Sequence, residues 1–416
     1  MKCKNLFVLF ITAFSLLLSS CNGQPNPNAS NKISNDSGKS DKENTESTKY
    51  IAGRDYTQFV RARILDKVGF AQPVEAFSVL IPEGWTYDGG VIWNPPGSTC
   101  AGINQGMKAV SKDGKFSFEI MPNYMWGFTS DPQVAQFQQQ QQFPKYCSFG
   151  EPMNAEAYFK QVFAPNELGN PQVISIKENT FGIQALQESN EKSRQELMRY
   201  GASQVNFYPS GISATVKWAN NSEAIILCGV NIIESVIPNP YNGSYSKSFT
   251  SVASERIIFM YPTGEAEKAA NMLSVMMGSI RTNTAWKNAV DGFWRSVREQ
   301  SNREHIGRIQ MIDEQTRQIG NAAIKQGQQN LNNMDANMRS WEASQQSQDR
   351  IHANFVKAIR EVENYQDETG KIELSLGYNH AWSRSDGSSF IMSDDPNFDP
   401  SSVFQDQSWK EMKKVD

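Results

Sequence analysis

Histidine changes its charge near neutral pH, so a histidine beside a carboxylate is the first place to look for proton-transfer chemistry. This chain has three histidines, and His380 lies between Tyr378 and Trp382. Three aspartates follow it in the sequence: Asp386, Asp394 and Asp395. A histidine held by an aspartate can act as the general base of a hydrolase. The same pattern is typical of a hairpin histidine packed between two rings, and we favour that interpretation because no nucleophile completes a catalytic set.

Oxygen-bearing side chains cluster after His380: Asp394, Asp395, Asn397 and Asp399. Calcium takes six or more oxygen ligands, so the cluster is a candidate cation site. Its spacing differs from that of an EF-hand loop, and Asp-Pro turns and helix capping are commoner roles for such residues. We therefore expect turns here. No glycine-rich phosphate loop and no His-Glu-x-x-His motif occurs, so no metal or cofactor is predicted.

The other two histidines, His305 and His352, fall in polar sequence with helical spacing. We expect both to lie on the surface of a helix, in contact with water.

Three cysteines remain once those of the N-terminal segment are set aside. Cys228 lies in the apolar run Ala224–Val230, which predicts a buried strand and a packed thiol. Cys100 and Cys147 both lie in loop-like sequence and could pair as a disulfide. No histidine is close to them and no Cys-x-x-Cys spacing occurs, so a zinc site is not predicted.

Five aromatic residues are the best candidates for a ligand-binding face: Trp85, Trp93, Tyr124, Trp126 and Phe128. The last three fall in Met121–Phe128, which follows a predicted strand and holds many loop-forming residues. Aromatic rings beside Asn and Gly can stack on sugars or hold a peptide. The alternative, which we favour, is that these rings fill the edge of the core.

The charge and composition limit the classes of partner that the chain can have. The chain has 416 residues and a formal net charge of -4. Such a chain can bury at least one full core, and its length suggests two or three folded units. It has no basic face for nucleic acid and no polybasic patch for anionic lipid, so neither partner is predicted on electrostatic grounds.

The N-terminus has the pattern of an export signal. Lys2 and Lys4 precede an apolar run that is short for a membrane-spanning helix and ends in Leu18-Ser19-Ser20-Cys21. This end resembles the bacterial lipobox, which implies cleavage before Cys21 and attachment of diacylglycerol to its sulfur. Residues 1–20 are then a lipoprotein signal peptide. The implied location is lipid-anchored on the cell membrane or outer membrane, facing away from the cytoplasm.

Composition divides the rest of the chain. Residues 21–54 are polar and predict a flexible tether. Residues 55–282 predict an α+β domain in which helices cover an antiparallel sheet. Its predicted elements are a helix at 55–67, strands at 76–81, 115–120, 172–177, 203–208, 211–219, 222–234 and 249–260, helices from Asp131, Asn154 and Gly264, and a turn at Tyr208–Gly211.

Two stretches of this domain carry a resemblance. The segment Phe77–Trp85 is similar to the first hairpin of PsbP and Mog1-type domains, and Ser279–Arg281 with Trp286 is similar to their ends. The likeness covers the two edges of the domain and not its middle. It implies a PsbP/Mog1-like sheet, and such domains are mostly binding or assembly modules without a catalytic site.

The remaining residues predict two further parts. Residues 283–353 show a narrow apolar stripe at helical spacing and predict a long polar helix, or two helices broken near Gly327. Residues 354–416 predict a small β-hairpin module. Its Gly377–Trp382 and Ser393–Phe398 segments are similar to the tails of uncharacterised bacterial exported proteins, a pattern to which no activity is attached.

Together these patterns favour a lipid-anchored envelope protein that works as a non-enzymatic binding or assembly module. Its expected partners are the membrane, through the lipid, and another envelope protein or polymer. An envelope hydrolase that uses His380 and the nearby aspartates is the alternative. Self-assembly into a structural lipoprotein is a third possibility.

Overall fold

The structure is a computed structural model that describes residues 50–96, 98, 100–199, 203–238, 245–303, 347–357, 362–367, 370–375, 377–384, 387–404 and 408–415. Four of the expectations above lie outside the described residues: the signal peptide with Cys21, the stretch 21–49 of the predicted tether, His305, and the stretch 304–346 of the predicted long helix.

The described chain is an α+β fold built mostly from antiparallel sheets, as the sequence predicted. The strands are β1 (Thr57–Asp66), β2 (Val74–Pro82), β3 (Thr86–Asn94), β4 (Gly102–Val110), β5 (Ser117–Ile120), β6 (Tyr124–Thr129), β7 (Cys147–Phe149), β8 (Gln172–Glu178), β9 (Gln204–Lys217), β10 (Ser222–Pro238), β11 (Tyr245–Pro262), β12 (Arg281–Thr282), β13 (Val362–Asp367), β14 (Gly370–Ser375), β15 (His380–Arg384), β16 (Ser389–Ser393), β17 (Trp409–Glu411) and β18 (Lys413–Val415). The helices are α1 (Pro132–Gln139), α2 (Ala155–Tyr158), a π-helical turn (Phe159–Phe163), α3 (Ala164–Glu167), α4 (Thr180–Arg199), α5 (Ala266–Gly278), α6 (Thr284–Arg303), α7 (Ser347–Lys357) and a 3₁₀ turn (Pro400–Ser402).

The largest sheet runs in the order β3-β4-β5-β11-β10-β9-β8, with β6 and β7 continuing from β11. Strand β10 shows how one sheet serves two cores, because successive side chains of a strand point to opposite faces. Ile225 and Leu227 belong to the main core, together with residues of α4, α5 and α7. Ile226 and Cys228 belong to a second core on the other face, under α2, the π-helical turn and α3. Cys228 is fully buried there.

The second sheet has the order β12-β2-β1-β16-β15-β17 and joins the two ends of the chain. Strand β1 pairs with β2 on one side and with β16 on the other, so that Phe59 lies opposite Phe390. The pairing of β16 with β1 crosses the sequence boundary placed at residue 354. A third sheet has the order β14-β13-β18.

The prediction of a helix at residues 55–67 is wrong. Phe59, Ala62 and Ile64 have helical spacing, but all three side chains are buried in strand β1. A central strand contacts neighbours on both faces, so its buried positions need not alternate with polar ones. Tertiary pairing with β2 and β16 therefore decides the local structure.

The turn predicted at Tyr208–Gly211 is also wrong, because these residues continue through the single strand β9. Strand β8 pairs with β9 only from Ile212 onward, so β9 has a strand on one side only at Pro209. Proline cannot donate to a ladder and is tolerated on such an edge.

Helix α7 is fixed to the main core by one phenylalanine. Phe355 is fully buried between three glycines, Gly182 of α4, Gly211 of β9 and Gly229 of β10. A Cβ atom at Gly229 would lie 2.4 Å from Cζ of Phe355, and one at Gly182 would lie 2.7 Å from the ring. The backbone carbonyl of Phe355 accepts a hydrogen bond of 2.7 Å from Nδ2 of Asn179. We call these three glycines the glycine socket.

Among the helices described here, none combines the length and the apolar character that crossing a bilayer requires.

Candidate functional site

His380 lies at the start of β15, partly exposed, with its ring stacked on that of Trp382 at 5.8 Å. Its Nδ1 atom is 3.5 Å from Oε1 of Glu411 on β17. Of the aspartates proposed to orient it, Asp394 accepts a hydrogen bond from the backbone of Asn379, and Asp386 lies outside the described residues. The described contacts of His380 are thus a ring and a glutamate.

The acidic stretch behind His380 forms turns. Asp395 accepts a hydrogen bond of 2.8 Å from the backbone N–H of Asn397. Asp399 caps the 3₁₀ turn by accepting from the N–H of Ser401 at 2.9 Å and from its hydroxyl at 2.6 Å. In the part of the chain that the structure describes, no three His, Cys, Asp or Glu side chains converge as metal ligands.

The expectation that His352 is solvated is wrong. Its side chain is buried, and its Nδ1 atom lies 2.7 Å from Oε2 of Glu255, which is fully buried in β11. The reason is that α7 packs against α4 and α5 and turns this face toward the sheet. Phe355 and Val356 follow His352 by three and four residues, so helical spacing places His352 on the buried apolar face of α7, a signal that the sequence analysis did not use.

The five candidate aromatic residues do not form one surface. Trp85 and Trp93 pack against the main core, where Trp93 stacks on Trp294 at 6.3 Å. Tyr124 and Trp126 pack in the second core, where Trp126 is buried under the ring of Tyr158 at 5.2 Å. The fifth residue, Phe128, remains partly exposed.

Trp93 has a further structural partner in Asp66, a fully buried carboxylate at the end of β1. Oδ2 of Asp66 accepts from the indole N–H groups of Trp93 and Trp286, both at 2.9 Å. Its Oδ1 accepts from the backbone N–H groups of Val68 and Gly69. The first sheet, the second sheet and α6 are thereby joined at one carboxylate.

Cys100 and Cys147 are joined as a disulfide. The bond ties the loop before β4 to the start of β7. It lies next to Tyr146, which has a positive φ of 65°, and Cys100 itself has a φ of 57°.

One half of the outer face of the large sheet is open. Helices α2 and α3 cover the half that holds Ile226 and Cys228. Beyond Ile232, the strands β9, β10, β11 and β6 carry further side chains on the same face, of which Tyr208 and Lys247 are exposed and Phe128 and Phe249 partly exposed. We call this the open sheet surface and define it by six residues, of which Glu234 is buried beneath its neighbours and Phe149 joins from the edge strand β7 through its ring contact with Phe128: Phe128, Phe149, Tyr208, Glu234, Lys247 and Phe249.

The apolar part of the open sheet surface consists of three partly exposed rings. Phe128 of β6 lies directly opposite Phe249 of β11, with ring centroids 6.0 Å apart. Phe149 stacks on Phe128 at 6.1 Å. Partly exposed, adjoining aromatic rings are typical of surfaces that bind a partner.

The polar part lies beside these rings and is centred on Glu234, whose cross-strand neighbour is Phe249. The carboxylate of Glu234 accepts a hydrogen bond of 2.6 Å from the hydroxyl of Tyr208 and lies 2.7 Å from Nζ of Lys247. Hydrogen bonds from Lys247 and Tyr208 lower the pKa of Glu234, and Glu234 raises the pKa of both partners. Tyr208 is 49% exposed, so its ring remains available to a ligand.

The sequence analysis missed Arg256, the most deeply buried cation of the second core. Its guanidinium donates hydrogen bonds to the carbonyl of Pro122 and to Glu167 of α3. The rings of Phe163, Tyr146 and Tyr124 surround it at 4.8, 5.4 and 5.7 Å.

A signal for both buried charges was present in the sequence. Glu255 and Arg256 are adjacent charges within a long apolar stretch that predicts a central strand. Because neighbouring residues of a strand point to opposite faces, such a pair predicts one buried charge in each core.

Comparisons of this chain with protein-family models, with curated proteins and with solved structures gave no match.

Proposed function

We propose that this protein is a lipid-anchored protein of the bacterial envelope that acts as a non-enzymatic binding or assembly module. The observation that carries the proposal is the sequence Leu18-Ser19-Ser20-Cys21 at the end of a short apolar run that follows two lysines. Two or three acyl chains on Cys21 would hold the protein on a membrane, because each buried methylene contributes about 0.8 kcal/mol. The disulfide between Cys100 and Cys147 supports export, since such bonds persist in oxidising compartments.

The proposed binding element is the open sheet surface. Its three rings supply apolar contact area, and the Tyr208–Glu234–Lys247 group supplies hydrogen-bonding atoms held in place by one another. The partner is another envelope protein or polymer. We further propose that residues 55–282 have a PsbP/Mog1-like arrangement and that residues 283–353 act as a helical spacer or interaction surface.

The anchor is tested by replacing Cys21 with serine. We expect the variant to lose both the lipid mass on its N-terminus and its attachment to the membrane fraction, because the thiol is the acylated atom. The matched control is Cys3→Ser, which lies within the cleaved signal and should leave mass and attachment unchanged. Mass spectrometry of the mature N-terminus and membrane fractionation measure the two outcomes. An unmodified N-terminus in the wild-type protein would refute the anchor.

The binding surface is tested by a photo-crosslinking amino acid placed at Tyr208 in cells. We expect a discrete crosslinked product there and none from the same probe at Tyr87, which is comparably exposed, at 45%, but lies on β3 at the far edge of the sheet. Adding Phe249→Glu should abolish the product at Tyr208, because a charge would replace the central ring. Equal crosslinking from both positions, or a product that survives Phe249→Glu, would count against this surface.

A further inference from the structure

Helix α7 carries an ionisable side chain at the point where it meets the large sheet. His352 is buried, and its ring nitrogen lies 2.7 Å from the fully buried carboxylate of Glu255. Asp349, one turn earlier on the same helix, is also buried. A single imidazole therefore lies near two buried carboxylates, an arrangement that favours its positive form.

The same helix also binds the second sheet. Asp349 accepts hydrogen bonds from the backbone N–H of Thr282 at 3.2 Å and from its hydroxyl at 2.7 Å. The charge of Arg281, on the same short strand β12, acts on Asp349 as well. Helix α7 thus contacts β11 through His352 and β12 through Asp349, while Phe355 occupies the glycine socket.

Among the residues that the structure describes, few charged groups act on His352. Those that act on His352 are Glu255 from β11 and Asp349 from its own helix; in the described chain, no charged group of α4 or α5 shifts its pKa. Behind Arg281 lie three groups of β1 and β2. These are Arg61, Glu75 and Arg63, of which Arg63 is 43% exposed and lies 3.6 Å from Glu75. The carboxylate at 2.7 Å is therefore the main charge that the imidazole meets.

We propose that α7 is a proton-operated latch: it docks fully on both sheets when His352 carries a proton, and it loosens when that proton is lost. Loosening would withdraw Phe355 from the glycine socket. It would also weaken the hold of α7 on the C-terminal strands that follow it in the chain and pair with β1.

The direction of the pH effect follows from the pKa of the docked helix. Burial alone lowers the pKa of His352, but the charge and hydrogen bond of Glu255, with the charge of Asp349, raise it overall above its ordinary 6.5. A raised pKa means that docking is strongest below pH 6.5 and weakens as the pH rises through the docked value. Burial raises the pKa of Asp349 above its ordinary 3.8, so this group acts in the same direction at lower pH.

The test is hydrogen exchange of the full-length protein between pH 5.5 and 8.5, with rates converted to protection factors to remove the intrinsic effect of pH. We expect the protection of α7 to fall above pH 6.5, by at most about tenfold for each unit by which docking raises the pKa of His352. The protection of β10 amides should not change over this range.

Two variants distinguish the effect of the proton on His352 from the effect of packing its side chain. His352→Gln should lower the protection of α7 at pH 5.5 and remove its dependence on pH above 6.5. His380→Gln, which replaces a partly exposed histidine, should behave as the wild-type protein does. If His352→Gln keeps the wild-type pH dependence, the latch is refuted.

A second measurement applies to the wild-type protein, in case His352→Gln does not fold. The chain has only three histidines, so their imidazole signals can be assigned by NMR with the variants His305→Gln and His380→Gln. We expect the signal of His352 to titrate above 6.5. Titration at or below that value would overturn the proposal.

Discussion

Replacing Gly229 with alanine will destabilise the protein by about 1–3 kcal/mol, because the added methyl group overpacks a closed site. Its Cβ atom would lie 2.4 Å from Cζ of Phe355 and 3.2 Å from Cβ of Glu255. The ring has little room to retreat, since Gly182 and Gly211 also contact it and it is fully buried. We therefore expect α7 to be displaced. Urea unfolding monitored by circular dichroism measures the change in the free energy of unfolding.

The cause can be isolated with a double-mutant cycle. Phe355→Ala alone should cost about 3–5 kcal/mol through the cavity that it leaves. In that background Gly229→Ala should be neutral or stabilising, because the ring that it would strike is gone. The matched control is Gly292→Ala in α6, where nothing lies within 4 Å of the added carbon, and this change should stabilise the helix by about 0.5–1 kcal/mol. A cost for Gly229→Ala that persists without Phe355 would refute the glycine socket.

Replacing Arg256 with methionine should cost about 3 kcal/mol, because it removes a fully buried cation whose partner Glu167 is only 17% exposed. The side chain has similar length, but Glu167 and the carbonyl of Pro122 would lose their donor, and three aromatic rings would lose the cation that they surround. Arg256→Lys should recover little, since an ammonium cannot direct a planar fork at a carbonyl and a carboxylate together. Unfolding in urea again gives the free energy.

The corresponding control is Arg63→Met. Arg63 is 43% exposed and lies 3.6 Å from Glu75, so its removal should cost less than about 1 kcal/mol. The double variant Arg256→Met with Glu167→Leu should be more stable than Arg256→Met alone, because no partly buried carboxylate is then left without its cation. If both arginines cost the same, the aromatic enclosure of Arg256 contributes nothing to stability.

The sequence predicts those parts of this fold that depend on residues close to one another in the chain. Alternation and apolar runs correctly predicted β2, β5, β10 and β11, because these strands bury whole rows of side chains. The caps also followed from local chemistry, as Asn154 accepts from the N–H of Ala157. Such interactions depend on residues close in sequence, so they can be predicted from the sequence alone.

The errors arise where distant residues decide. Strand β1 is a strand because β2 and β16 flank it, and the partner of Thr57 is Met392 near the other end of the chain. The buried partner of His352 is Glu255, 97 residues earlier in the chain, and no pattern around residue 352 identifies it. Of the six residues of the open sheet surface, the sequence analysis had proposed only Phe128 as a binding residue. Its other members become neighbours through the pairing of β9, β10, β11 and β6.

The pairing of β1 with β16 also constrains the order in which the second sheet can assemble. Strand β1 is synthesised well before residues 389–392, which complete one of its two sides. Until then the backbone groups on that side of β1 have no strand to bond with. The second sheet therefore closes only after residues 389–392 have been made, and a nascent chain halted before residue 389 presents an unfinished edge to chaperones and proteases.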